Sequence, residues 1–290
     1  VSVKLKSGLG TNMFLDVKSD ISKTCFPAFF TCCQMNVAML FAYYLLQHAR
    51  DFPENYTPYY YEYKLGVCVI VYSLVMATFF FTAFTDPGKA YQYNLPSDNR
   101  DCERCHLKRA PRSRHCSTCK RCGYRLDHHC VWVHNCIGMR NNKSFILFLT
   151  YFLVKPMQIG ITQYSHVALD YVFSLHGQED MMPSWLFKGY FYFHNLIVFS
   201  FSFMVLTLFS QHVRFVYKNY TTVEYLDYRK DHGYLGCYDW CCMLPGTNYD
   251  LGLVPNFFQV FGRDVFWWFL PTVPDNHRVE LGFNKVPEVK

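Results

Sequence analysis

Charged side chains are missing from several long stretches of this 290-residue chain. Residues 27–46, 65–84 and 189–210 contain no Asp, Glu, Lys or Arg, although charged residues make up 17% of the whole. A surface helix of a soluble protein needs a polar face, so this absence argues against three such helices. About 18 consecutive apolar residues are enough to cross a bilayer. We therefore predict three membrane spans, with buried helices of a soluble core as the alternative.

A fourth apolar stretch begins at Ser144, and Lys155 and Pro156 interrupt it. Short loops with an excess of positive charge lie on the cytoplasmic side of a membrane. Residues 85–143 contain twelve Lys or Arg and five acidic residues, whereas residues 47–64 contain two basic and three acidic ones. This pattern predicts four spans, with both termini and residues 85–143 in the cytosol.

The predicted boundaries are a cytosolic segment at 1–26, two spans within 27–84, a cytosolic domain at 85–143, two spans within 144–210 and a cytosolic region at 211–290. Within that last region, Val265 to Leu270 read V-F-W-W-F-L, which is too short to span a membrane. The two tryptophans indicate an interfacial helix along the cytoplasmic face, and packing against the cytosolic domain is the alternative. No internal repeat or low-complexity tract is evident.

Half of the 14 cysteines lie between Cys102 and Cys136, together with five histidines. Cysteines two residues apart on a tight turn direct two sulfur atoms at one ion, which is the usual geometry of a zinc site. Disulfides are the other common explanation of such density, but cytosolic thiols are kept reduced. Two tetrahedral sites need eight ligands. Two histidines and six cysteines supply them, the cysteines being Cys102, Cys105, Cys116, Cys119, Cys122 and Cys136.

This count leaves Cys130 over, next to Asp127 and His128 in the sequence. A thiol beside a histidine and a carboxylate is a candidate nucleophile with a base and an orienting group. The spacing leaves a second interpretation open, in which Cys130 is itself a ligand and another cysteine is spare.

The cluster reads C-x2-C-x9-HC-x2-C-x2-C-x4-DHHC-x5-C-x4-N-x3-F and ends at Asn141 and Phe145. At every spacing it resembles the cysteine-rich domain of the DHHC protein S-acyltransferases, or palmitoyltransferases. Three other segments resemble motifs of this family and occur in the expected order: Asp86-Pro87-Gly88, Thr221-Thr222-Val223-Glu224 and Asn256. Two positions depart from the family pattern, because Val131 replaces a common proline and His134 a common asparagine.

The resemblance implies an all-α polytopic membrane protein with four transmembrane helices. A small cytosolic domain between spans two and three would bind two structural zinc ions. One ion would be held by Cys102, Cys105, His115 and Cys122, and the other by Cys116, Cys119, His129 and Cys136. Four protein ligands leave no open position for water, so neither ion is expected to be catalytic.

The resemblance also implies that Cys130 takes an acyl group from fatty acyl-CoA, the co-substrate. His128 would accept the proton of the thiol, and Asp127 would hold the imidazole in the required tautomer. Trp132 and Phe145 would flank the acyl chain. Six polar residues would support the site, with helix capping and turn formation as the alternative: Asp86, Asn141, Thr221, Thr222, Glu224 and Asn256.

Four cations lie within the cluster, at Lys108, Arg109, Arg112 and Arg114. Because guanidinium groups match the geometry of phosphate, we hypothesise that this loop binds the CoA phosphates. Positive-inside topology with attraction to anionic lipid is the alternative. A second hypothesis places Lys155 at the distal end of the acyl cavity, where it would limit chain length. Its alternative is a side chain that extends to the lumenal surface.

The predicted function is an integral membrane enzyme that moves a long-chain acyl group, palmitoyl first, to Cys130 and then to a cysteine of a membrane-associated protein substrate. The alternative is a catalytically weak or inactive zinc scaffold that recruits proteins at the membrane. A nucleic-acid partner is not expected, because a zinc finger between two spans could not easily reach DNA. The expected location is the endoplasmic reticulum or Golgi, ahead of the plasma membrane, with the site facing the cytosol.

Overall fold

A computed structural model of the protein describes residues 58–89, 101–154, 185–233, 247 and 249–274. Five α-helices lie within these ranges: α1 (Pro58–Phe84), α2 (Asn142–Val154), α3 (Trp185–Lys218), α4 (Thr222–His232) and α5 (Leu253–Phe261). A short 3-10 turn follows at Val265–Trp267. The predicted first span and Lys155 lie outside the described residues.

Helix α3 carries the stretch best suited to cross a membrane. Of the helices in the described ranges, only its segment Phe199–Lys218 is long and apolar enough, by length and composition. This segment ends eight residues beyond the predicted span, because the helix continues past Ser210 through Arg214 to Lys218. Val69–Phe84 and Asn142–Val154 form shorter apolar helices. The arrangement with four spans stays a prediction.

The cysteine-rich domain consists of three small antiparallel hairpins rather than helices. Hairpin 1 pairs β1 (Asp101–Cys102) with β2 (Leu107–Lys108), and hairpin 2 pairs β3 (Arg114–Cys116) with β4 (Arg121–Gly123). Hairpin 3 pairs β5 (His128–Cys130) with β6 (Asn135–Ile137). The all-α prediction is therefore wrong for this domain, because ligands two residues apart need tight turns that short strands enter and leave.

The three hairpins are copies of one unit that repeats every 14 residues. Cys102, Cys116 and Cys130 occupy the same position, and they pair across their strands with residues 107, 121 and 135. The turn of each hairpin contains one residue with a positive φ, and these residues also lie 14 apart: His106 (53°), Lys120 (54°) and His134 (49°). The expectation of no internal repeat is wrong. The unit is so short, and so few of its positions share a residue type, that the sequence conceals it.

Hairpin 3 packs against the helices, and its apolar side chains join their core. Ten buried residues form this core cluster: Val75, Phe79, Cys130, Val133, Ile137, Phe145, Phe148, Leu149, Phe152 and Val205. They come from α1, α2, α3 and hairpin 3. The candidate nucleophile is therefore placed at the junction of the cysteine-rich domain and the apolar helices.

Candidate active site and metal clusters

The structure brings the eight predicted zinc ligands into two groups. One consists of Cys102, Cys105, His115 and Cys122, and the other of Cys116, Cys119, His129 and Cys136. Within each group the sulfur and imidazole nitrogen atoms lie within 4.8 Å of one another. Three thiols and one imidazole are a typical donor set of a closed structural zinc site, so both groups fit zinc. The two groups are those that the resemblance implied.

The pKa of Cys119 in the second group favours its metal-binding form. A hydrogen bond from the Cys136 thiol, at 3.4 Å between the sulfur atoms, is the main cause that lowers the pKa of Cys119 to about 5. The same contact raises the pKa of Cys136. One thiol of the group is therefore a thiolate at neutral pH, and the thiolate is the ligand form of cysteine.

Each metal group joins two successive hairpins. Hairpin 1 supplies Cys102 and Cys105, and hairpin 2 completes the first group with His115 and Cys122. Hairpins 2 and 3 form the second group in the same way. An ion in each group would therefore link the three hairpins in series.

Hairpin 3 departs from the other two at the position that frees Cys130. Val133 takes the place that Cys105 and Cys119 hold in hairpins 1 and 2, so the third copy contains only one of the two paired thiols. Val133 is 1% exposed and belongs to the apolar core. Cys130 is 5% exposed, and it lies outside both four-donor groups.

Asp127, His128 and Thr222 form a hydrogen-bonded network beside Cys130. The Asp127 carboxylate lies 2.6 Å from Nδ1 of His128. The same carboxylate accepts hydrogen bonds from the backbone N–H of Thr222 at 2.8 Å and from its hydroxyl at 2.7 Å. Because Nδ1 is engaged by Asp127, the other nitrogen of the His128 ring is the one available to the Cys130 thiol.

The pKa values of this network follow from its contacts. Burial alone raises the pKa of Asp127, but the hydrogen bond with His128 and the backbone N–H of Thr222 outweigh it and hold the pKa far below its usual range. Burial lowers the pKa of His128, whereas its hydrogen bonds to the Asp127 carboxylate and to the Cys130 sulfur raise it to about 9. Asp127 is therefore an anion at neutral pH, and His128 readily holds a proton.

His212 is a member of the site that the sequence analysis missed. It lies on α3, is 5% exposed, and its ring centroid is 5.8 Å from that of His128 and 5.1 Å from that of Phe145. Its imidazole also approaches the Asp127 carboxylate within 4.8 Å. The available signal was a histidine two residues beyond the predicted end of the span at residue 210.

An apolar cavity of about 320 Å³ opens beside Cys130. Trp132 and Phe145 line this cavity, and their contact with an acyl chain stays a prediction. Trp132 packs edge-on against Phe201 of α3 with ring centroids 5.6 Å apart. The other apolar residues of the wall include Phe79, Phe148, Leu149, Phe152 and Met204. The polar network therefore lies at one end of a space suited to a hydrocarbon group.

Arg112 does not fit its predicted role in CoA binding. Its side chain is 1% exposed. The guanidinium donates to both carboxylate oxygens of Glu224, each at 2.7 Å, and to the side-chain and backbone oxygens of Asn219. The donors that phosphate would need are already engaged within the protein. Arg112 therefore joins the cysteine-rich domain to α4 and to the turn after α3.

The other three cations of the loop differ in exposure. Arg114 donates to Asp227 of α4 at 2.9 Å and is partly exposed. Lys108 is exposed on β2, and Arg109 is partly buried. Lys108 is thus the most accessible of the four, and CoA binding by Lys108, Arg109 and Arg114 stays a prediction.

Glu224 also completes the start of α4. Thr221 is the N-cap, its hydroxyl accepts from the backbone N–H of Glu224 at 3.2 Å, and the Glu224 carboxylate accepts from the N–H of Thr221 at 2.9 Å. Burial raises the pKa of Glu224, but Arg112 outweighs burial and lowers it. This capping box fixes Thr222 where it donates to Asp127.

We expect Glu224→Gln to destabilise the protein by about 3 kcal/mol, because Arg112 would become a buried charge without its anion. For a chain of this size the midpoint of thermal unfolding in detergent should fall by about 5 °C. Asp227→Asn on the same helix is the matched control, since the Arg114–Asp227 pair is exposed and contributes less than about 1 kcal/mol. Equal midpoints for the two variants would contradict the structural role of Arg112.

Asp86 and Asn141 attach the cysteine-rich domain to α1. Asp86 accepts from Arg121 of β4 at 3.0 Å. Asn141 is fully buried, and its amide donates to the backbone oxygens of Thr82 and Cys136 at 3.2 and 2.9 Å. Asn135, which the sequence analysis did not select, likewise donates to the backbone oxygens of Thr82 and Thr85.

Asn256 bonds to the end of α3 and to the residues before α5. It is fully buried on α5 and donates to the backbone oxygen of Tyr217 and to Asp250 at 2.8 and 2.7 Å. Its contacts thus fix α5 against the end of α3. Asn219 connects this region to the cysteine-rich domain, since its amide oxygen accepts from Arg112 and Arg125 while its nitrogen donates to Gln259.

Two groups of zinc-type donors, a Cys–His–Asp arrangement and an apolar cavity define a class of proteins in which a cysteine-rich domain packs on apolar helices. A sequence model of the DHHC palmitoyltransferase family matches residues 96–229. The chain belongs to this family, whose members are membrane-bound.

Individual relatives have names of the same kind. The chain is 35% identical to the probable protein S-acyltransferase 13 of Arabidopsis thaliana over 184 residues. These aligned residues are 63% of this chain and 55% of the relative. The chain is 31% identical over 218 residues to the probable protein S-acyltransferase 12 of that plant, covering 68% and 69%. It is 33% identical over 173 residues to the palmitoyltransferase ZDHHC15 of Rattus norvegicus, covering 59% and 46%. The chain therefore spans between about half and two thirds of the length of these relatives.

Proposed function

We propose that this protein is an S-acyltransferase that moves a long-chain acyl group, palmitoyl above all, from acyl-CoA to a cysteine of a protein. The observation that carries the proposal is the position of Cys130. Its thiol lies between the Asp127–His128 network and an apolar cavity, so one atom is within reach of both a base and a hydrocarbon chain. Relatives that are named acyltransferases and palmitoyltransferase support the reaction class.

In the first step, the proton of the Cys130 thiol passes to the free nitrogen of the His128 ring. The Cys130 sulfur attacks the carbonyl carbon of the acyl-CoA thioester, and a new sulfur–carbon bond forms. The bond from that carbon to the CoA sulfur breaks, and the CoA thiolate takes the proton from His128. Asp127 keeps the imidazole oriented throughout, because its own position is fixed by Thr222.

In the second step, the thiol of a protein substrate replaces CoA. Its proton passes to His128, its sulfur attacks the acyl carbon held by Cys130, and the Cys130 sulfur leaves and recovers the proton. The partly exposed Trp132 and the exposed Val131 lie next to Cys130 and form the edge that such a substrate would approach. A cysteine close to the membrane surface is therefore the expected acceptor.

Zinc would be held by the two Cys3His groups and would supply structural cross-links between hairpins. The residues of the chain that carry out chemistry all lie outside these groups, since Asp127, His128 and Cys130 are not among the eight donors. The second group nevertheless uses His129, which lies between His128 and Cys130 in strand β5. The metal would thus fix the strand that presents the nucleophile.

The topology that we propose has four spans, with residues 85–143 and 211–290 in the cytosol and the boundaries given by the sequence. The support is the positive charge of residues 85–143 and the apolar character of α1, α2 and α3. The active site would then face cytosolic acyl-CoA at an endomembrane, in the endoplasmic reticulum or Golgi.

The test is incubation of the purified protein in detergent with alkyne-tagged palmitoyl-CoA, followed by measurement of label that hydroxylamine releases. We expect label on the wild type and none on Cys130→Ser. Equal label on both proteins would show that another cysteine carries the acyl group. An unlabelled wild type with two zinc ions bound would favour the alternative, a zinc scaffold without catalysis.

A further inference from the structure

Residues Val265 to Leu270, here called the C-terminal apolar segment, expose large hydrophobic side chains. Phe266 is 75% exposed, Phe269 67% and Val265 57%, and the segment contains no charged residue. An exposed patch of this kind marks a contact with a membrane or another protein. The sequence left packing against the cytosolic domain as the alternative for this segment. The exposure of these three side chains shows that they do not take part in such packing.

The segment is attached to α2, the helix predicted as the third span. Lys143 is fully buried at the start of α2, and its ammonium group donates to the backbone oxygen of Trp267 and, at 2.8 Å, to the hydroxyl of Thr272. The hydroxyl of Tyr151, further along the helix, donates to the backbone oxygen of Phe269. The segment therefore runs beside α2 rather than away from it.

These contacts set the depth of the segment along the helix. Lys143 and Tyr151 are eight residues apart, which corresponds to about 12 Å of helix. Side chains on a helix lean toward its N-terminus, so the Tyr151 hydroxyl reaches back toward Lys143. The Phe269 carbonyl thus lies within the first two turns of α2. An interfacial segment enters a bilayer by a similar depth of about 5–10 Å.

Several backbone polar groups of the segment have partners within the protein. The N–H groups of Phe266 and Trp267 donate to Asp264, and those of Trp268, Leu270 and Thr272 donate to carbonyl oxygens within the segment. Pro271 has no N–H to satisfy. Lys143 and Tyr151 bind two of the carbonyl oxygens. Irregular backbone at membrane depth is tolerated only when its polar groups are paired within the protein.

We propose that the C-terminal apolar segment inserts into the cytoplasmic leaflet beside α2, with Phe266 and Phe269 in contact with lipid acyl chains. Lipid is the occupant that the structure favours, because the outward face exposes large apolar side chains and the segment lies beside the predicted third span. Trp268 anchors the other side, since it packs on Phe257 of α5 with ring centroids 4.9 Å apart and donates to the Gly262 carbonyl. The proposal rests on the membrane topology above and not on the acyl-transfer chemistry.

Photo-crosslinking tests this contact in the full chain. Benzoylphenylalanine is introduced at Phe266 or at Phe269, and the protein is reconstituted into vesicles of alkyne-tagged phosphatidylcholine and irradiated. Leu107 is the matched control position, because it is an apolar residue of the cysteine-rich domain that is 48% exposed. We expect a protein–lipid adduct from positions 266 and 269 and none from 107.

Other outcomes would overturn the proposal. Adducts between chains or with an added protein substrate, in place of lipid, would assign the segment to a protein interface. Absence of any adduct at both positions would place the segment in water. Repeating the experiment with Cys130→Ser separates this proposal from the function, since a lipid adduct does not require acyl transfer. Two substituted positions guard against a single variant that fails to fold.

Discussion

Asp127→Asn should lower the rate of Cys130 acylation by about a thousandfold or more, while the protein still folds. A carboxylate that orients a catalytic histidine contributes a factor of this order in hydrolases that use the same constellation. In this protein the Asp127 carboxylate lies 2.6 Å from Nδ1 of His128 and accepts two hydrogen bonds from Thr222. An asparagine amide could present its N–H to Nδ1 and hold the wrong tautomer. The measurement is the initial rate of palmitoyl label on Cys130.

A second variant distinguishes orientation from simple loss of structure. Thr222→Val removes the hydroxyl that donates to Asp127 at 2.7 Å, but keeps the backbone N–H that donates at 2.8 Å. Loss of one hydrogen bond to a charged group corresponds to about a tenfold to hundredfold effect on the rate. Both variants should keep their zinc content. An Asp127→Asn protein that is acylated as fast as the wild type would exclude the orienting role of the carboxylate.

Much of the metal and catalytic geometry could be predicted from the sequence because it is local. The donors of each group lie within 21 residues of one another, and two-residue spacings restrict the path of the chain. The resemblance assigned the eight donors to two groups, and the structure groups the same residues. Asp127, His128 and Cys130 lie within four consecutive positions, so their proximity needed no long-range contact.

The position of Arg112 could not be predicted in this way. An arginine in a basic loop is typical of a solvent-exposed phosphate-binding site, and its neighbours in the sequence support that interpretation. The actual partners, Glu224 and Asn219, are more than 100 residues away, so the pairing depends on how the loop docks on α4. The same limit applies to His212, which reaches the site only because the end of α3 passes beside α2.

The repeat of the hairpins explains why Cys130 lies outside both donor groups. Two copies contain a cysteine pair, at positions 102 and 105 and at positions 116 and 119. Each pair forms a metal-donor group with a histidine and a cysteine of the next copy. The third copy has Cys130 but Val133 in place of the second thiol, and its side chains enter the apolar core. Cys130 thus has the backbone position of Cys102 and Cys116 without the partners that would bind an ion. This structural argument disfavours the interpretation in which Cys130 is a ligand and another cysteine is spare.

Cys136→Ser should remove one of two zinc ions and abolish acylation. Cys136 is 2% exposed and belongs to the second donor group, which joins hairpins 2 and 3. Binding of structural zinc contributes roughly 10–16 kcal/mol in isolated zinc domains, so loss of a ligand has a large effect on folding. Strand β5 carries both His129 and Cys130, and it would lose the contact that fixes it. Zinc per chain is measured by elemental analysis of the purified protein.

The matched comparison is Cys130→Ser, which changes the same atom only six residues away. Because Cys130 lies outside both donor groups, this variant should keep two zinc ions and the thermal midpoint of the wild type, and lose only the acyl label. The two substitutions therefore separate metal binding from acyl transfer. Cys136→Ser should remove an ion and the fold of hairpin 3, whereas Cys130→Ser should remove only the proposed nucleophile. A Cys130→Ser protein with one zinc ion would make Cys130 a ligand. The reactive thiol would then have to be sought elsewhere in the chain.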